Sequence, residues 1–424
     1  MLFLISPYSA QANNLPGMVA FVVSATALFA LGYHLSIRQS RRYRMDLGDA
    51  REITPLVRGV IVASALWFLL FSIASLEEYG ARGLGDIVTA AMNPSASYYA
   101  KFNIYIEQQT SGRTSRPIQL AVLTGALYAV LVPVTIYYWR RIGVATRVLT
   151  VTAALSYVGY FVFIGTQKGI GDLLVMAIAA LAASAIALEK GRPSKATTQT
   201  RRWLAVVVIV LSVGFVGYLA NNQGDRVEGT SVAGQFVPNP LMTSLFGEKF
   251  SRGLAVAMFY PTNGYIGLSK NLGVPFVSAG GLGGAPALGS YKTQYLGGEN
   301  PSERSYPKRT EAATGWPAGQ YWATVYPWLA SDLTFPGAAL FMTIAGWFMA
   351  RMWLGARIER DPLSLVLFSQ MAIFIAYVPA NNQLMSARYT AIGFITLLGI
   401  YVVRRLVGGK LHSGKSEIRL GQVH

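Results

Sequence analysis

The stretch GVIVASALWFLLFSIASL, residues 59–76, runs for eighteen positions without an acidic or basic side chain. A helix crosses a hydrocarbon core of about 30 Å with about 20 residues, so this run reads as a membrane span. Eight further segments of the same character lie to either side: Gly17 to Ile37, Ile118 to Trp139, Val148 to Ile164, Gly169 to Leu188, Trp203 to Ala220, Leu333 to Ala350, Pro362 to Pro379 and Leu384 to Val403. Together with Gly59 to Leu76 they predict an all-α, polytopic membrane protein of about nine helices, in a range of roughly 9–12. Composition agrees: 53% of the 424 residues are hydrophobic and 13% are charged, which excludes an ordinary soluble domain and a disordered chain. The opening Met1 to Ser6 is too short to span and lacks the basic flank and cleavage site of a signal peptide, so the first helix is expected to be retained.

The formal charge of +17 acquires its meaning from its position. Basic side chains are held in short cytoplasmic loops, and the loops 38–58, 139–147, 189–202, 351–361 and the tail from Arg404 hold 22 of the 36 bases but 7 of the 19 acids. This alternating set is expected to be cytoplasmic, with the N-terminus outside and the C-terminus inside. The charge is then mostly a topology signal, and a nucleic-acid partner is not expected. The chain divides into a six-helix bundle (1–220), a long outer loop with short amphipathic helices (221–332), a three-helix unit (333–403) and a basic cytoplasmic tail (404–424). No Cys is present and His34, His412 and His424 are the three histidines, all on the cytoplasmic half. Thiolate chemistry is excluded, no metal or cofactor is expected, and an outward-facing reaction would need Asp or Glu as its base.

An outer loop as long as 221–332 is uncommon unless functional. Phe250 to Leu268, preceded by Lys249 with Arg252 inside it, reads as an amphipathic interfacial helix. Ten glycines fall between Gly264 and Gly298, including the run 280–284, and read as mobile turns. Ala220-Asn221-Asn222-Gln223 and Ala380-Asn381-Asn382-Gln383 echo one another, each followed within six residues by an arginine, Arg226 or Arg388. Carboxamides donate and accept together, as sugar hydroxyls require, so Asn222, Gln223, Arg226, Asn382 and Gln383 are candidates for a glycan-binding rim; chance repetition at helix ends is the alternative. Trp316, Trp322 and Tyr260 are further sugar-stacking candidates, although interfacial belts also explain clustered Trp and Tyr.

The turn Gly165-Thr166-Gln167-Lys168-Gly169 places Lys168 at a helix start, where free N–H groups favour anions; Asp172 lies one turn on and is a natural partner. Arg388 sits inside the outer end of an apolar segment and needs either an internal acid or a ligand phosphate. Asp332, with Ser331 before it and Pro336 after it, reads as a helix N-cap or as a general base at a polar mouth.

These elements resemble the bacterial O-antigen and oligosaccharide repeat-unit polymerases of the Wzy type. The turn 165–169 is similar to that family's Gly-Ser-Arg-Gly lead-in to a helix, with Lys168 for the usual Arg. Ser331-Asp332-Leu333-Thr334-Phe335-Pro336-Gly337, within Tyr326 to Gly346, is similar to its acidic-residue–Phe–Gly start of a late helix. The family's spacing of Arg, ten residues, then Gly is missed by one position between Arg252 and Gly264, and the match from Arg388 to Gly399 lies within a helix. The resemblance implies a GT-C-like inner-membrane glycosyltransferase acting on undecaprenyl-pyrophosphate-linked glycans at the periplasmic face, with membrane lipids, a chain-length regulator and a flippase as partners. It also implies pyrophosphate-binding roles for Lys168, Arg252 and Arg388 and a base role for Asp332, with Glu248 and Glu311 in reserve. A lipid-linked glycan ligase, a peptidoglycan-type polymerase, and a secondary transporter or flippase are the competing readings.

Overall fold

The computed structural model describes residues 3–4, 7–41, 53–111, 116–185, 195–227, 240–319 and 321–420. Among these the regular structure is helical throughout. After a short 3₁₀ turn at Pro7–Gln11 come α1 (Leu15–Arg41), α2 (Pro55–Glu78), α3 (Leu84–Met92), α4 (Pro94–Ser111), α5 (Arg116–Leu123), α6 (Ala126–Tyr138), α7 (Val144–Phe163), α8 (Lys168–Ala185) and α9 (Lys195–Val227). The second half holds α10 (Pro240–Phe246), α11 (Glu248–Asn271), α12 (Pro286–Leu296), α13 (Tyr306–Thr314), α14 (Val325–Arg357), α15 (Pro362–Ala376), α16 (Gln383–Ser386) and α17 (Arg388–Leu420). Six helices (α1, α2, α7, α9, α14 and α17) are long and apolar enough to cross a membrane, a seventh if α5 and α6 form one span bent by 63°, and α15 is a shorter apolar helix. This is the architecture of a polytopic membrane protein, with large apolar side chains such as Leu70, Val213 and Ile344 facing outward.

Small residues let the helices approach, as membrane bundles require in the absence of a hydrophobic drive between helices. At the crossing of α1 and α14, a Cβ on Gly346 would lie 2.1 Å from the Phe29 carbonyl oxygen, and one on Gly32 1.9 Å from that of Thr343. The same device seats α17 on the α5–α6 bend, where Gly393 faces the Gly125 carbonyl. The main apolar cluster joins α1, α11, α14 and α15, and a second, rich in rings, joins α2, α6, α7, α8 and α17.

Three expectations for residues 221–332 are corrected. Helix α9 continues past Ala220 to Val227, and α14 begins at Val325, eight residues before the predicted start. The long loop is largely helical, and α11 is not an interfacial helix: Val256, Phe259, Ile266 and Leu268 are buried in the main cluster. Its apolar stripe is real, but it is covered by protein because Gly253 lets it rest against the end of α9, at Ala220 and Gly224. The aromatic stretch 316–328 is likewise no membrane belt, for Tyr326 and Trp328 are buried and Trp316 packs on Tyr321 with ring centroids 4.7 Å apart.

Candidate functional site

The glycine run forms an ordered loop clamped on α14. Gly280 and Gly281 both adopt positive φ, of 73° and 84°, which a side chain would strain. Their turn aims backbone N–H groups at one carboxylate: Gly281 donates to Asp332 Oδ1 at 2.8 Å and Gly284 to Oδ2 at 3.1 Å. Asn382 Nδ2 donates to the Gly284 carbonyl at 2.5 Å, and Ala279 N–H to that of Ser331 at 2.9 Å. Asp332 is therefore not the N-cap of its helix. It lies inside α14, which breaks two residues later at Thr334 (φ 64°, ψ 167°), and there the Thr334 hydroxyl accepts the Gly337 N–H at 3.4 Å.

Cavities of opposite character meet at this loop. On one side a cavity of about 550 Å³ is walled by Phe341, Ile344, Phe348, Phe374, Phe394 and Leu398, with Asp332 and Asn382 as polar groups among its lining. On the other, a cavity of about 520 Å³ is bordered by Lys292, Glu299 and Arg304 together with Ser278 and Gly280.

A polar nest occupies the start of α8. Gly165 takes φ +60° at the end of α7, and the turn delivers Lys168 to Asp172, Nζ to Oδ2 at 2.8 Å. Asp172 is fully buried. It also accepts from the Tyr128 hydroxyl at 3.2 Å, while its Oδ1 has no partner among the described residues. Tyr157 and Tyr389 share a hydroxyl bond of 2.8 Å beside it, and the Tyr377 hydroxyl lies against Gly171. Arg388, next to Tyr389, has its guanidinium 4.7 Å from the centre of the Tyr291 ring; an aromatic face holds it, and no acid among the described residues does. Lys168 reaches the ring cluster through Asp172, which is bonded to Tyr128, and Arg388 adjoins it through Tyr389, the next residue on α17.

The other sequence-derived candidates do not converge here. Arg252 pairs with Glu248 one turn back on α11 and shares no described contact with Lys168 or Arg388. Glu311 is paired with Lys308. Asn222, Gln223 and Asn382 are buried, so they form no exposed rim; the packing of α9 against α8 and α11, and of α16 under the glycine loop, covers them. Asn222 keeps both amide atoms unpartnered among the described residues. Gln383, half-buried, opens α16. Trp316 donates its indole N–H to the Trp322 carbonyl at 3.3 Å, and the Trp322 backbone N–H goes to Asn263 Oδ1, so the Trp316 ring and the Trp322 backbone brace the fold. The side chains of Tyr260 and Arg226 lie outside the described residues. Sequence reading missed Tyr128, Tyr157, Tyr377 and Tyr389: each sits in or beside an apolar run, and only their hydroxyls at span depth mark them. It also missed Lys292 and Arg304, which are ordinary surface bases until the fold sets them behind the glycine loop.

No family model, curated protein or solved structure matches the chain.

Proposed function

We propose that this chain is a polysaccharide polymerase that joins polyprenyl-pyrophosphate-linked oligosaccharide repeat units at the outer face of the bacterial inner membrane. The observation that carries the reading is the pair of cavities back to back at residues 280–284, one apolar and one polar. They suit a ligand that is half hydrocarbon and half glycan, its chain against Phe341 and Leu398 and its sugars towards Lys292 and Arg304. The charge pattern, with basic loops inside and an outer N-terminus, supports a periplasmic opening for both cavities, where no nucleotide is at hand and the donor must bring its own leaving group.

In this reading a hydroxyl of the incoming repeat unit attacks the anomeric carbon of the growing chain, the glycosidic bond forms, and the bond to polyprenyl pyrophosphate breaks. Lys168 and Arg388 offset the charge that develops on the departing pyrophosphate. Asp332, held in one orientation by two glycine N–H groups, takes the proton from the attacking hydroxyl. Arg252 has a lesser claim, since Glu248 already neutralises it. The test is to delete the gene and separate lipid-linked glycans on a gel. Accumulation of single repeat units on the outer leaflet is the expected result, whereas unaltered polymer rejects the reading. The buried Lys168–Asp172 pair, with a free carboxylate oxygen among tyrosines, favours a second reading as a transporter or flippase, since ionisable groups inside a bundle mark transport paths; repeat units trapped on the inner leaflet would decide for it.

A further inference from the structure

A third cavity, of about 620 Å³, lies apart from the glycine loop, beneath α3 and α4. Its construction starts with the two faces of α3. Leu84, Val88 and Met92 recur every fourth residue and are exposed as an apolar stripe. Asp86, Thr89 and Asn93, three and four residues apart, line the cavity. An exposed apolar stripe on a short helix suits a membrane surface. Asp86 Oδ2 accepts the N–H groups of Arg82 at 2.7 Å and Gly83 at 3.2 Å, which fixes the loop that carries Arg82. No acid among the described residues pairs with the Arg82 guanidinium.

The far wall is Phe163 and Ile164 from the end of α7, four residues before Lys168. That end is locked to α4: Gly165 lies so close that a Cβ there would be 2.7 Å from the Pro94 carbonyl oxygen and 3.0 Å from the Tyr98 nitrogen. Ser95 ties α4 in turn to Asp225 at the end of α9, through an N–H bond of 3.1 Å. The cavity is therefore a rigid neighbour of the Lys168 turn.

We propose that this cavity is a second saccharide-binding site, for an oligosaccharide bearing a carboxylate or another acidic substituent. Thr89 and Ser97 donate their hydroxyl protons to the Gly85 and Asn93 carbonyls, and Asn93 one amide hydrogen to that of Thr89, which leaves their oxygens to accept from sugar hydroxyls. Phe163 and the small Ala96 and Ala100 offer apolar contact for a sugar's C–H face. Arg82 is the one guanidinium of the lining, and the lining's one acid, Asp86, has its Oδ2 already occupied by two backbone N–H groups, which favours an anionic glycan. The volume falls among small-molecule sites, roughly 300–1,000 Å³. The assignment rests on the polymerase reading in one respect, namely that joining two glycans requires a place for each, and this one stands beside Lys168.

The test uses the full chain in nanodiscs of zwitterionic lipid, titrated calorimetrically with a lipid-free galacturonate trisaccharide and with its neutral galactose counterpart. The acidic trisaccharide is expected to bind and the neutral one to bind at least about tenfold more weakly, the worth of a charge-assisted hydrogen bond. Arg82→Gln is expected to lose about the same factor, Arg82→Lys to recover most of it, and Ser97→Trp, which fills the cavity, to abolish binding. Equal affinity for the two sugars, binding that survives both Arg82→Gln and Ser97→Trp, or binding lost in Lys292→Gln alone would each overturn the proposal. So would loss of binding on changing to phosphatidylglycerol nanodiscs, because a lipid headgroup would then hold the cavity. The glycan gel reports the polymerase reading separately: normal repeat-unit polymerisation with no trisaccharide bound at Arg82 rejects this inference and leaves that reading standing.

Discussion

Asp172 accepts bonds from Lys168 and Tyr128 on Oδ2 alone, and it does so with no exposed surface. A buried charge that loses its partner is costly, about 3–5 kcal/mol in buried pairs; Lys168 is partly exposed, so the lower end applies. Lys168→Ala is therefore expected to lower the thermal midpoint of the detergent-solubilised protein by several degrees as well as to reduce polymer yield. Lys168→Arg, which keeps the charge, is expected to restore stability. If alanine leaves the midpoint unchanged, the pair is not holding α8 in place. Asp361, at the opposite end of the bundle, makes a different argument. Burial works against its charge, yet the Ser364 hydroxyl and N–H and the Arg404 guanidinium, 2.7 Å away, outweigh it and hold the carboxyl below its ordinary value of 3.8. A depressed folded value means that the stabilisation is complete above pH 3.8 and is lost as the pH falls through the lower, folded one. Thermal unfolding followed from pH 6 downward is expected to show this acid loss, and Asp361→Asn to flatten it while lowering stability at neutral pH.

Helix α14 shows what a hydropathy reading can and cannot see at the scale of an element. Its apolar run begins at Leu333, and Pro336 with Gly337 looks like a helix start; Thr334 does break the helix there. Hidden from the sequence is the preceding stretch, Val325 to Leu333, which is also helical and carries Asp332 to the glycine loop, because its order comes from contacts made far away in the chain at Ala279, Gly281 and Tyr306. The same reason hides the bend at Thr124 and Gly125, set by the approach of Tyr389. Spans were legible because each is a local run; the tyrosine nest was not, since Tyr128 and Tyr389 are distant in sequence and each resembles its apolar neighbours. Thr334 occupies a backbone region in which glycine alone is at ease, at a cost on the order of 1–3 kcal/mol for another residue. Thr334→Gly is expected to raise the thermal midpoint and Thr334→Ala, which keeps the strain and loses the hydroxyl cap, to lower it by about 1 kcal/mol in stability. An alanine variant at least as stable as the glycine variant would show that the break is unstrained.

For the whole molecule, the placement of charge and the placement of the cavities make one claim about sidedness. The charge pattern reads 38–58, 139–147, 189–202 and 351–361 as cytoplasmic, and Asp361, the last residue of that set, meets Arg404 of the basic tail. The glycine loop, the Lys168 turn and the α3–α4 cavity are joined to the other helix ends. A protein that worked on cytoplasmic nucleotide sugars would need its cavities among the basic loops, so the polymerase proposal predicts that thiols near the cavities are labelled from outside. The chain contains no Cys, so a single introduced thiol is a unique label and sidedness can be read one position at a time. Glu299→Cys, beside the polar cavity and 55% exposed, is expected to react with a membrane-impermeant maleimide added to spheroplasts. Gln199→Cys, exposed in the first turns of α9, is expected to react only after the membrane is permeabilised. Labelling in the reverse order would place the cavities in the cytoplasm, and a periplasmic polymerase would then be impossible however well the cavities fit a lipid-linked glycan.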